Sequence, residues 1–196
     1  MNNTSKATNI LLCGVGGQGA ILTSKILTEG LLQNGFDVKM SEVHGMAQRG
    51  GSVSTQVRYG KRVNSPLFGK GQADVCVAFE RMEAVRYAEY LKPDGIFIIN
   101  DHRLTPMSVA VGDAVYPENT LTAVSAKFET IVIPAAEIAK GIGSSRIMNI
   151  VLLGSLICVL GLESQPGADW EIIMASVIPE KLLAVNIEAF RAGLRK

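Results

Sequence analysis

The chain has 196 residues, of which 47% are apolar and 19% charged, and its formal net charge is +1. That length suits one well-buried core. The near-neutral balance, with lysines and arginines scattered among acids, excludes a dedicated nucleic-acid binder, which carries a basic excess or stripe. Two compatible readings account for the apolar share: strands buried on both faces, or a surface covered by a partner.

The opening residues Met1-Asn2-Asn3-Thr4-Ser5-Lys6 are polar and precede no apolar run before residue 9, so no signal peptide is expected. Residues 1–8 read as a flexible N-terminus to one domain spanning 1–196. Residues 10–13 are a short apolar run ending in glycine, the pattern of a buried parallel strand. After a glycine-rich turn, Ile21, Leu22, Ile26, Leu27 and Leu31 recur at helical spacing until Asn34-Gly35 stops the helix. Residues 36–43 form the next strand, so the first forty or so residues read as a right-handed β-α-β unit.

Residues 44–51 hold three glycines without periodicity and read as a loop; 52–59 is a β-branched strand, turned at Gly60-Lys61 into a short hairpin through Val63. The basic cluster Arg58, Lys61 and Arg62 then lies on a solvated hairpin tip. Residues 74–79 are another buried strand, and 80–92 an amphipathic helix with Met82, Val85 and Leu91 inward. On its outer face Glu83–Arg86 and Glu89–Lys92 are spaced to pair. Pro93-Asp94-Gly95 is a turn, 96–100 a core strand, and 101–118 is irregular.

Residues 131–133 are a late strand, and Pro134 starts a helix over 135–140. The most membrane-like stretch, 147–162, is too short for a span and is interrupted by Asn149, Gly154 and Ser155, so 146–160 reads as a buried helix. Trp170, Ile173, Met174 and Val177 mark a further amphipathic segment, with Trp170 in the core or at a subunit contact. The last helix follows Pro179, with Leu183, Ile187, Phe190 and Leu194 on one face. The alternation implies an α/β fold: a Rossmann-like, open, mostly parallel sheet with helices on both faces. A cytoplasmic protein with no membrane or nucleic-acid partner is expected.

Cys13, Cys76 and Cys158 each sit inside an apolar segment, as small core hydrophobes do. No CxxC pair exists and only His44 and His102 are available, so neither an iron–sulfur cluster nor a metal site is expected on this chain, and no catalytic residue is assigned. The chemistry-bearing signal is Gly14-Val15-Gly16-Gly17-Gln18-Gly19, which follows a strand and opens a helix. Glycines there allow a tight turn and close approach while free helix N–H groups face an anion. Gly14, Gly16, Gly17, Gln18 and Gly19 are therefore candidate cofactor-binding residues, and Glu42 stands where a ribose-binding acid would. Two readings remain: a stand-alone NAD(P)-binding reductase, for which no hydride-transfer site is visible, or a loop that seats a helix or another phosphate.

That glycine turn, combined with Ser41-Glu-Val-His-Gly-Met-Ala-Gln-Arg-Gly-Gly-Ser-Val53, resembles the gamma-type subunits of 2-oxoacid:ferredoxin oxidoreductases. The form of the second loop is most similar to the small (beta) subunit of the indolepyruvate enzymes. Further matches are Ser65-Pro66, Ala73-Asp74, Glu80, Glu83-Ala84-x-Arg86, Tyr116-Pro117 and residues 149–154. The resemblance implies a thiamine-dependent oxidative decarboxylation in which an aryl-pyruvate, coenzyme A and oxidised ferredoxin give aryl-acetyl-CoA, CO2 and reduced ferredoxin. It places thiamine diphosphate, magnesium and 4Fe-4S clusters on a large alpha partner subunit, leaving this chain inactive alone.

His44, Gln48, Arg49, Gly50, Gly51 and Ser52 are then a loop facing substrate or the subunit interface. Arg49 has the fork geometry for a carboxylate or coenzyme A phosphate; the alternative is a structural ion pair. His44 reads as a hydrogen-bonded structural residue rather than a catalyst.

Overall fold

The computed structural model describes residues 7–44 (His44 by its backbone only) and 50–195. Six strands form one sheet: β1 (Thr8–Val15), β2 (Asp37–His44), β3 (Ser52–Gly60), β4 (Ala73–Ala78), β5 (Leu91–Asn100) and β6 (Glu129–Ile133), in the order β2-β3-β1-β4-β5-β6. The pairs β1–β4, β4–β5 and β5–β6 are parallel, whereas β3 runs antiparallel to both β1 and β2. The sheet is thus mostly parallel, with one reversed strand inserted near its edge.

That insertion corrects two expectations. The opening strand–helix–strand unit is not a neighbouring pair, because β3 lies between β1 and β2. The hairpin partner of β3 is β2, in continuous register from Asp37↔Gly60 to His44↔Val53, and not a strand through Val63. Val63 is instead buried, its N–H donated to Asp37 Oδ2 at 2.7 Å. Together with the Lys39 ammonium this bond holds the Asp37 carboxyl below its ordinary range. Lys61 and Arg62 are exposed, but Arg58 is drawn away to Asn9 Oδ1 and the Ser65 and Leu67 carbonyls.

The strands alternate cleanly. Ile10, Leu12, Val75, Val77 and Ile98 face one layer, and Leu11, Cys13, Cys76, Phe97 and Ile99 the other. The larger layer comprises α1 (Ala20–Gln33), α5 (Ala135–Ile142), α6 (Met148–Val159), α7 (Trp170–Val177) and α8 (Glu180–Leu194). Across the sheet lie α2 (Arg81–Tyr87) and α4 (Thr120–Ser125), with Phe68 from the β3–β4 connection; the four-residue α3 (Met107–Ala110) stands at the strand ends. Helix α6 follows a 3-10 turn at Ser145–Ile147 and is buried from Asn149 to Ile157, as its largely apolar character predicts. Thr8 belongs to β1 rather than to a flexible end; residues 1–6 lie outside the described residues.

Helix α2 is shorter than expected. It ends at Tyr87, a 3-10 turn covers Ala88–Tyr90, and Leu91 already pairs with Ala73 in β5. The Pro93-Asp94-Gly95 turn appears as a register shift inside β5, between the pairs Ala73↔Leu91 and Val75↔Ile96. The inward residues of α2 are Glu83 and Ala84, with Val85 exposed. Glu83 does pair with Arg86, but Glu89 pairs with Lys70, and Lys92 with Asp74. Periodicity misplaced this face because the buried Glu83 carboxylate takes an inward position on it, with Glu80 buried at the N-cap.

Close packing rests on small residues. Trp170 is buried with its ring against Gly30, and its indole N–H donates to the Leu162 carbonyl at 3.0 Å. Helices α6 and α8 cross at Gly154 and Gly193, where a methyl on Gly193 would lie 2.0 Å from the Val151 carbonyl oxygen. Gly193→Ala is therefore expected to lower unfolding free energy by about 2 kcal/mol or more through forced separation of these helices. Gly141→Ala, on α5 with nothing within 4 Å of the added methyl, should instead raise it by up to about 1 kcal/mol. Denaturant unfolding of the two variants separates these outcomes by sign.

Candidate functional site

The two glycine-rich loops meet at the carboxyl ends of β1 and β2. Gly17 (φ 101°) and Gly19 (φ 85°) take the left-handed backbone that lets β1 turn sharply into α1. Gly16 N–H donates to the Gly51 carbonyl at 2.8 Å, and Gly50 N–H approaches the Gly16 carbonyl at 3.5 Å. Ser52, at the root of the second loop, donates its hydroxyl to Glu83 Oε2 and lies 3.2 Å from the Tyr87 hydroxyl. The sequence-predicted residues Gly14, Gly16, Gly17, Gln18, Gly19, Gly50, Gly51 and Ser52 are thus brought together. The His44 backbone pairs with Val53, while Gln48 and Arg49 lie outside the described residues.

Most of the glycine fingerprint is occupied by the protein itself. Gln18 is buried and folds back, its Oε1 accepting the Val15 N–H at 2.8 Å and its Nε2 donating to the Phe79 carbonyl at 3.3 Å. A methyl on Gly14 would sit 2.8 Å from Phe79 Cβ, and one on Gly19 would sit 2.7 Å from Asn149 Nδ2. Asn149 in turn donates to the Gly19 carbonyl at 3.3 Å, docking α6 on the turn. Gly17 faces open space.

Strands β1 and β4 send their helices to opposite layers, so the chain's switch point lies between them. Gln18 and Phe79 close that crevice. The open volume lies to the other side: a cleft of about 370 Å3 between the α1 N-terminus and β2–β3, lined among others by Gly17, Ile21, Glu42, Val43, Ser54 and Thr55. Its chemistry is mixed. The first N–H groups of α1 favour an anion, and the Glu42 carboxylate, held by Ser24 Oγ at 3.2 Å, faces it from β2. Because β3 intervenes, Glu42 is displaced from β1 by two strand spacings, roughly 10 Å. That separation works against the dinucleotide reading, in which the acid stands on the strand next to the glycine turn.

A second polar cluster at the same end of the sheet was not assigned from sequence, although its members Glu80 and Tyr116 were among the residues that carried the resemblance. Glu80 is 1% exposed, yet it accepts from Met82 N–H (2.5 Å), Glu83 N–H (3.2 Å), Leu104 N–H (3.2 Å) and Tyr116 O–H (2.6 Å). Both carboxylate oxygens are satisfied, which is the condition for burying this group. Burial, then the Glu80 carboxylate, pushes the Tyr116 phenol well above its ordinary range, so it remains a donor. Burial and the neighbouring Cys76 likewise push the Cys13 thiol up; the two sulfurs lie 3.8 Å apart in the smaller core. Among the described residues no group of three or more His, Cys, Asp or Glu side chains could hold a metal ion.

This mostly parallel α/β sheet is the fold of an oxidoreductase gamma subunit: the keto/oxoacid ferredoxin oxidoreductase gamma subunit of Geobacter sulfurreducens superposes with a TM-score of 0.70 at 25% identity, covering 96% of each chain. The family described as pyruvate ferredoxin/flavodoxin oxidoreductase matches residues 9–196, and the chain belongs to it. Within that family it is 40% identical over 190 residues to the indolepyruvate oxidoreductase subunit IorB of Archaeoglobus fulgidus, covering 94% of this chain and 92% of that one. It is also 27% identical to the ketoisovalerate oxidoreductase subunit VorA of Methanothermobacter marburgensis, where it covers 96% of this chain but 36% of the relative.

The Gln18 arrangement can be tested directly. Gln18→Glu replaces the Nε2 donor with an acceptor facing the Phe79 carbonyl and is expected to destabilise the fold by about 1–3 kcal/mol at neutral pH. A protonated carboxyl restores a donor, so the folded-state pKa is raised; the deficit is full above that pKa and vanishes below the unfolded value. Thermal melts should show the gap from wild type narrowing as pH falls towards about 4.

Proposed function

We propose that the chain is the small subunit of a cytoplasmic 2-oxoacid:ferredoxin oxidoreductase that acts on aryl-pyruvates such as indolepyruvate. The observation that carries this is the near-full-length identity to an indolepyruvate oxidoreductase subunit. Supporting it is the hydrogen-bonded pairing of the two loops on which the resemblance rests. The reaction converts the 2-oxoacid, coenzyme A and two oxidised ferredoxins to acyl-CoA, CO2, two reduced ferredoxins and a proton.

The residues present do not fit the redox groups of that reaction. Cys13 and Cys76 are buried side by side in the core, and Cys158 lies apart on α6. In this reading, as the family resemblance implies, thiamine diphosphate, magnesium and the 4Fe-4S clusters belong to a large alpha subunit, which meets ferredoxin, and this chain is inactive alone. The role of this chain, acting as one domain over its whole length, is to seat a coenzyme A phosphate. Gly17, the free N–H groups of α1 and the adjoining cleft supply that seat, and Arg49 on the second loop supplies the cation.

Co-expression with the large subunit under anoxic conditions should yield a brown complex that reduces a dye only with both 2-oxoacid and coenzyme A; failure of the two chains to assemble would refute the assignment. Within that complex, Ile21→Glu places a carboxylate in the first turn of α1, favourable for the helix and repulsive to a phosphate. The KM for coenzyme A should rise about fivefold or more with kcat little changed. An unaltered KM places the phosphate elsewhere.

A further inference from the structure

Residues 101–118 join β5 to α4 at the carboxyl edge of the sheet and combine two properties that a connecting loop does not ordinarily share. The first is fixed shape. Ala110 and Val111 N–H groups donate to the Pro106 and Met107 carbonyls, and Asp113 and Ala114 N–H groups both donate to the Ser108 carbonyl at 2.8 and 3.0 Å. Its two ends are tied to one buried carboxylate, since Glu80 Oε1 accepts both Leu104 N–H and Tyr116 O–H. Arg103 lies over the Tyr116 ring at 4.1 Å and closes the ends on each other.

The second property is an apolar display. Leu104, Met107, Val111 and Val115 are 41%, 77%, 61% and 89% exposed. Ordering a loop costs conformational entropy, which burial of its apolar side chains normally offsets; here they point outward instead. Such a patch is characteristic of an interface. Of the nearby charges, Arg103 is paired with Glu118 and Arg81 with Asp101, and the segment itself carries one exposed acid, Asp113. Its complement is therefore a mainly apolar surface rather than a strongly acidic or basic one.

We infer that the face formed by residues 104–115 is where the large subunit of the same oxidoreductase seats. This rests on the small-subunit reading above. The choice of occupant follows from the Methanothermobacter relative, in which the equivalent unit makes up 36% of one longer chain, so that further protein of the same enzyme is joined to this fold. It also follows from position: β5 and β1 are both parallel to β4, so this face and the paired glycine loops share the carboxyl end of the sheet, and a subunit seated here reaches the edge that carries the cleft.

The test measures anoxic binding of the full chain to the purified large subunit of the same organism. Met107→Glu combined with Val115→Glu should leave the melting temperature of the isolated chain unchanged and weaken binding by about 30-fold or more. Ile172→Glu, at a 66% exposed position on α7, should bind as wild type. Tight binding by the double variant overturns the assignment of this face while leaving the enzyme reading intact. A wild-type chain that binds no large subunit overturns both. Self-association of the isolated chain, abolished by the double variant, identifies a second copy as the occupant and overturns the proposal.

Discussion

Gln18 joins the end of β1, the turn into α1 and the end of β4 in one arrangement, and the layout of the carboxyl edge follows from it. Its amide spends both halves on backbone, one on Val15 N–H and one on the Phe79 carbonyl. Gly14 is the residue that leaves room for this, since a methyl there would collide with Phe79 Cβ and Gln18 Oε1. With the β1–β4 crevice closed, the open volume at this edge lies beside α1 rather than across the switch point. The inserted strand β3 provides that place, because it carries β2 outward and opens the cleft between Glu42 and the helix N-terminus.

The elements best read from sequence were those whose residues decide their own structure. Residues 10–13, 74–79 and 96–100 are largely apolar runs bounded by glycine or polar residues; the first and last lie within buried strands, and the middle one overruns β4 by the single residue Phe79. Asn34-Gly35 and Pro134 bounded α1 and α5 as local stop and start signals should. What could not be read was decided at long range. Whether β2 adjoins β1 depends on where β3 lands, and a run such as Ser52–Gly60 has no local feature that distinguishes an inserted antiparallel partner from a parallel neighbour. The α2 face failed for a related reason: Glu80 and Glu83 look like solvent residues until Tyr116, Leu104 and Ser52 arrive from elsewhere in the chain to satisfy them.

The candidate site divides along the same line. The strand–turn–helix context of residues 14–19 was legible, and so was its nearness to the second loop. That Gln18 faces inward was not, because a glutamine between two glycines carries no local sign of its direction. Residues that the resemblance singled out serve close contacts in several cases: Asn149 docks on Gly19, Gly154 lets α8 approach, and Glu80 meets Tyr116. These are places where another side chain would either collide or leave a buried polar atom without a partner.

Glu80 and Glu83 show how such a fold can hold a precise edge without a large core beneath it. Among the described residues the smaller layer covers its face of the sheet with the short helices α2 and α4 and Phe68, and it supplements apolar bulk with polar anchoring. Glu80 ties α2 to residues 104 and 116, and Glu83 ties α2 to Ser52 at the root of the second loop. A buried carboxylate left with an unpaired oxygen is strongly unfavourable, so each bond in the set raises the penalty for losing any other. Helix α2 therefore links the second glycine loop on one side to the apolar display on the other. Displacement of either would be felt at the opposite end through two carboxylates three residues apart.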